Sequence, residues 1–147
     1  METKDPADEL SAMLAEKGKA YDEFQSATDL LKEAIENEEI ASINRLIKCR
    51  DEMIGNIDEL DGRIKRHWHS VPLDQRSAVI RRVASISDDL YGKLERINST
   101  NHDCTSIAAR SCSALQSDLM VINQTKEGLQ GYAGMKQRIP KFFSVRT

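Results

Sequence analysis

Few side chains in this chain are spaced for chemistry. His67 and His69 flank Trp68 and offer two imidazoles, a common kind of metal ligand. On a helix, residues two apart face away from each other, so this pair cannot share one ion there. Trp68 reads instead as the large apolar group closing one end of a helical pair. His102 lies in a polar stretch and is expected to be solvated. A phosphotransfer histidine needs an amphipathic helical setting with small residues after it, which Asp103, Cys104, Thr105 and Ser106 supply only faintly. Cys104 and Cys112 lie eight apart with no matching His pair, so they read as small buried side chains, not metal ligands. Asn98-Ser99-Thr100 and Asn123-Gln124-Thr125 fit the glycosylation acceptor pattern, which carries meaning only in a secreted chain. There is no phosphate-cradling glycine loop, no zinc motif and no carboxylate pair distinct from surface charge. The expectation is a non-enzymatic protein with no catalytic residue, no metal and no cofactor.

Composition points the same way. The chain has 147 residues, 39% hydrophobic, 5% aromatic and 31% charged. That balance suits narrow seams between long helices better than a thick globular core. No window of about 18 apolar residues suggests a membrane span. The start, Met1 to Asp5, has no apolar run of the secretory kind. Three cysteines, an odd number, fit reduced thiols in a cytoplasmic setting. Residues 1–61 hold 17 acidic and 7 basic side chains; residues 62–147 hold 7 and 14. The net charges are −10 and +7, so an acidic first half is expected to attract the basic second half, with an acidic partner as the alternative. The bases are thinly spread and have no interleaved aromatic series, which argues against nucleic acid.

The elements that must position these residues are read from one apolar stripe. Leu10, Leu14, Tyr21, Phe24, Leu31 and Ile35 follow a heptad in which only Lys17 and Thr28 are polar seam positions. Continuing that heptad would land on Glu38, Ser42, Arg45 and Cys49, which cannot form a seam. The stripe resumes in a new phase at Ile40, Ile43, Ile47, Ile54, Ile57, Ile64 and Trp68. A turn near Asn37 is therefore expected, with helices over about 6–36 and 38–69 forming an antiparallel hairpin. Asp5 reads as the first cap, Pro6 as the first helical residue, and Glu38-Glu39 as the acidic start of the second helix. Leu31, Ile54 and Ile57 are expected to be buried in the seam.

Pro72 ends the second helix. A third stripe, Val79, Ile80, Val83, Ile86, Leu90, Leu94, Ile97, Cys104, Ala108, Leu115, Leu119, Ile122 and Leu129, predicts a helix over about 73–130. Residues 98–103 are its weak point, six polar residues of poor helix propensity. Either the helix continues there, with or without a kink, or it folds back as a fourth; the absence of Gly and Pro from the region favours continuation. The fold class is thus all-α: a hairpin plus a long third helix, a three- to four-helix bundle or coiled coil. Residues 1–130 form one domain, and 131–147 a mobile basic tail. That tail carries Lys136, Arg138, Lys141 and Arg146 beside Tyr132, Met135, Ile139, Phe142, Phe143 and Val145.

The stretch from Ile35 through Asn37, Glu38, Glu39 and Ile40 to Ile43, Leu46, Ile47, Arg50, Ile54, Ile57, Leu60 and Arg63 resembles the hairpin of bacterial flagellar type III export chaperones of the FlgN and FliT kind. A first helix with an aromatic near Tyr21, a long last helix, a Gly/Tyr break and a basic end at Arg138 to Phe143 also fit. The resemblance implies a cytoplasmic chaperone without enzymatic activity. Its partners would be a hook–filament junction or filament-cap protein of the flagellum, held by a helical segment, and a component of the export apparatus. It implies client binding by the C-terminal helical stretch, with Ala108, Leu115, Leu119, Ile122 and Leu129 as anchors. Tyr132 would be the export-gate contact. The rival reading is a structural coiled-coil subunit forming a homo-oligomer.

Overall fold

The computed structural model describes residues 5–127. It contains α1 (Pro6–Glu36), α2 (Ile40–Ser70), one 3₁₀ turn (Leu73–Gln75) and α3 (Arg76–Glu127), and no strand among the described residues. The fold is all-α, as the periodicity predicts. The 131–147 tail, Leu129 and Tyr132 lie outside the described residues.

Local chemistry accounts for each boundary. Asp5 Oδ1 accepts the Ala7 N–H at 3.0 Å, Pro6 opens α1, and Asp8 and Glu9 sit in its first turn. The phase break at Asn37 is a tight reversal in which Glu38 has φ 55°. The Glu39 N–H donates to Ala34 O and the Glu38 N–H to Ile35 O, which satisfies the last carbonyls of α1. This is the Schellman arrangement with glutamate where glycine is usual. Glu38 and Glu39 therefore belong to the turn, and α2 begins at Ile40, correcting the start at 38. Val71 is extended ahead of Pro72 and ends α2. The first turn after Pro72 is 3₁₀, so α3 starts at Arg76, not at 73.

α3 runs unbroken through 98–103 because its neighbours hold the polar residues. Gln25 Nε2 donates to Thr100 Oγ1 at 2.9 Å, and Arg50 Nη2 donates to Asn101 Oδ1 at 2.9 Å. Lys32 lies 3.5 Å from Asp103. Thr100 and Thr105 also donate to the carbonyls one turn back, Arg96 O and Asn101 O. Side chains of poor helix propensity are thus held by bonds that reach across the bundle.

α1 is the spine. It packs along both α2 and α3, and α2 and α3 have no comparable approach to each other. One core cluster, at the hairpin turn, joins Leu31, Ala34, Ile35, Ile43, Leu46, Cys104 and Ala108. A second, at the other end, joins Ala7, Leu10, Val71, Val79 and Val83, with Trp68 and Ile64 packed against it. Trp68 closes that end, as its position in the sequence predicts. α3 passes Gly18 at ordinary contact distance: a β-carbon there would sit 3.7 Å from Leu90, and Lys93 Nζ donates to the Gly18 carbonyl at 3.4 Å. The two polar seam positions are both satisfied. Thr28, fully buried, donates to Phe24 O at 2.7 Å. Lys17 Nζ lies 2.5 Å from Asp61 and 5.4 Å from the Tyr21 ring centre.

Two seam expectations are corrected. Leu31 is buried, but Ile57 is only half-buried and Ile54 is 43% exposed. α2 turns a narrow face to α1, and the flank bearing Ile54 would need α3 against it. α3 packs on α1 instead. Ile80 and Leu94 are exposed on α3 for the same reason.

Candidate functional site

Two of the residues that could do chemistry, His67 and Cys104, make contacts between helices. His67 lies between two acceptors: one ring nitrogen is 3.0 Å from Pro6 O, the other 3.3 Å from Glu9 Oε2. It ties the end of α2 to the start of α1. His69 and His102 are exposed. Cys104 is buried with its sulfur 3.8 Å from Thr28 O; burial pushes its thiol above its ordinary value, against the nearby Arg50 guanidinium. Cys49 and Cys112 are free and half-buried. Among the described residues no group of three or more His, Cys, Asp or Glu is arranged to hold a metal ion. No described helix is long and apolar enough to cross a membrane.

The polar layer at mid-bundle is built by Arg50. Its guanidinium stacks 4.7 Å from the Phe24 ring centre and bonds Asn101, while its Nε is buried without a hydrogen-bond partner. Burial lowers its basicity, opposed by Cys104 and Asp51. Gln25 Oε1 is likewise buried and unpartnered. Beside this layer, Tyr21, Asp22, Gln25, Lys93, Arg96 and Thr100 line a shallow groove of about 500 Å³ between α1 and α3. Lys93 and Asp22 pair across it at 2.9 Å.

The end of α3 projects past both of its neighbours. Cys104 sits at Thr28 and Ala108 at Leu31 and Ile35, so α3 reaches the level of the hairpin turn near Ala108. It then continues for about 19 residues, roughly 28 Å at 1.5 Å per residue, beyond both neighbours. Leu115 is 42% exposed, Ile122 45%, and Met120 and Val121 each 61%. Leu119 is half-buried. Ala108, Cys112, Leu115, Leu119 and Ile122 follow steps of four and three, so the stripe that packs α3 into the bundle runs on past the ends of α1 and α2.

Of the five residues expected to anchor a client, the structure brings Leu115, Leu119 and Ile122 together on this projecting segment. Ala108 is corrected: at 7% exposed it belongs to the three-helix core and offers no face to a partner. Leu129 lies outside the described residues. Met120 and Val121 were not singled out from the stripe. Their signal was the uninterrupted run Leu119-Met120-Val121-Ile122, which makes the helix apolar all round for one turn.

No protein-family model matches this chain, and neither the curated proteins nor the solved structures contain a match to it.

Proposed function

We propose that this protein is a non-enzymatic helical chaperone that holds an amphipathic helix of a client on the projecting end of α3. One observation carries the reading: among the described residues α3 outruns the hairpin and leaves Leu115, Met120, Val121 and Ile122 exposed, with Leu119 half-buried among them. A helix apolar on all sides belongs in an interior, and exposed patches of this kind mark interaction sites. Laying a client helix along the stripe is the helix-in-groove mode, with anchors at intervals of three, four and seven.

The resemblance of the hairpin supports a narrower version. In it the protein is a cytoplasmic export chaperone, and the client is the C-terminal helical segment of a flagellar hook–filament junction or filament-cap protein. Tyr132 is then the contact to the export gate. The test is a pull-down of those candidate segments with the full chain and with Leu119→Ser/Ile122→Ser. Both side chains lie outside the bundle core, so the variant keeps its melting temperature. Capture by the native chain and loss in the variant is the expected result. Equal capture by both moves the site elsewhere, and a native chain that elutes as a stable oligomer and captures nothing favours a coiled-coil subunit.

A further inference from the structure

The end of the bundle opposite the projecting segment is tied by a histidine with an acceptor on each side. His67 stands in the last turn of α2, and its side chain is only 14% exposed. Its Nε2 is 3.0 Å from Pro6 O and its Nδ1 is 3.3 Å from Glu9 Oε2. A backbone carbonyl and a carboxylate both accept, so both ring nitrogens must donate. A neutral imidazole carries one N–H and one lone pair, whereas the imidazolium carries two N–H groups. Only the charged ring completes both contacts. In the neutral ring one nitrogen lone pair faces an oxygen lone pair, whichever tautomer forms.

The other charged groups at this end are engaged elsewhere or exposed. On α1, Asp5 and Asp8 accept from Arg82 of α3. On α2, Arg63 lies one turn before His67 and pairs with Glu16 at 3.6 Å, while Lys65, Arg66 and His69 are exposed. Asp74 is exposed in the 3₁₀ turn. Arg76, at the start of α3, donates to Val71 O at 3.1 Å and lies 5.2 Å over the Trp68 ring centre. Among the described residues the ion pair of Glu9 is with His67. These contacts hold the cluster of Ala7, Leu10, Val71, Val79 and Val83, against which Ile64 and Trp68 pack. Trp68 follows His67 directly, so the ring that closes the cluster and the imidazole that ties α2 to α1 share one turn of helix.

We propose that His67 is a pH-operated latch: protonated, it clamps the end of α2 to the first turn of α1, and on losing its proton it releases one of its two acceptors and loosens this end of the bundle. The proposal does not depend on the reading of the α3 end. Its sign follows from the donors. The clamp is complete in mildly acidic solution and is lost as pH rises through the imidazole range, centred at about 6.5. The neighbouring cap runs in the opposite sense. The Asp5 carboxyl, held below its ordinary value by the Ala7 N–H and then by Arg82, lets go only as pH falls. This end is therefore tightest between the carboxylate and imidazole ranges. The cluster at the hairpin turn, from Leu31 to Ala108, contains no histidine, and His102 is exposed outside it.

The test is amide hydrogen exchange on the full chain from about pH 5.5 to about pH 7.5, either side of the imidazole midpoint. Rates are read as protection factors, which removes the intrinsic pH dependence of exchange. The expected result is a loss of protection of about tenfold at Leu10, Ile64 and Trp68 as pH rises, the size of one charge-assisted hydrogen bond. Cys104 and Ala108, at the other end, should hold theirs. Glu9→Gln separates a latch from a simple charge effect. Glu9 is 40% exposed, so the exchange of one oxygen for an amide leaves the fold intact. The new amide N–H donates to Nδ1 while Nε2–H donates to Pro6 O, and the neutral ring is satisfied on both sides. Protection in this variant should change less than about twofold over the same range. A native chain without the step overturns the proposal. So does a step that Glu9→Gln leaves intact, which would assign it to imidazolium charge at the C-terminus of α2. A step that disappears in His69→Gln overturns it as well.

Discussion

At residue level the most exposed compromise is Glu38, a glutamate at φ 55° in the position where helices usually place glycine. A side chain in the left-handed region costs on the order of 1 kcal/mol, and glycine removes that cost. Glu38→Gly should therefore raise stability by roughly 0.5–1 kcal/mol in urea melts, whereas Glu38→Val, β-branched at positive φ, should lower it. Asp5 makes a second prediction. The Ala7 N–H first, then Arg82, hold its carboxyl below its ordinary value near 3.8. A depressed folded value means the contribution is present above that ordinary value and is lost as pH falls through the folded one. Hydrogen exchange should show the Ala7 amide losing protection below pH 3.8 while amides around Cys104 stay protected. The turn was legible because Glu38, Ser42, Arg45 and Cys49 break the heptad. The identity of the left-handed residue was not, since nothing marks a glutamate for positive φ.

At the level of elements, the structure separates seam from flank. Leu31→Ala deletes a fully packed side chain in the cluster with Ile35, Ile43 and Cys104, and should cost about 2–5 kcal/mol. Ile54→Ala, on the open flank, should stay within about 0.5 kcal/mol of the native chain, with Ile57→Ala between them. Chemical denaturation of the three variants checks the order. Equal losses for Leu31 and Ile54 would mean that α3 closes over α2 in solution. The sequence could not separate these positions, because a stripe records which face of α2 is apolar and not which neighbour covers each edge. Continuity of α3 was favoured by the absence of glycine and proline over 98–103, but the contacts that hold those residues were not legible. Six polar residues at 98–103 read as a weak point until Gln25, Lys32 and Arg50 are seen reaching them from two other helices.

For the whole molecule, the architecture is a spine with two unequal companions. α1 and α2 match in length, at 31 residues each, and α3 has 52. That mismatch was already visible in the spacing of apolar residues from Val79 to Leu129, and with it the idea that Leu115, Leu119 and Ile122 lack a partner. Ala108 was misassigned because position along α3 was read without the level at which α1 ends. If the projecting segment receives a client helix, its amides should behave differently from the rest of α3. The decisive measurement is hydrogen–deuterium exchange across residues 109–127, with and without the C-terminal helical segments of candidate flagellar junction and cap proteins. The account predicts fast exchange there in the free chain, at a rate independent of protein concentration, and strong protection on client binding that Leu119→Ser/Ile122→Ser abolishes. Protection of residues 109–127 already complete without any client, and unchanged by adding one, would contradict it.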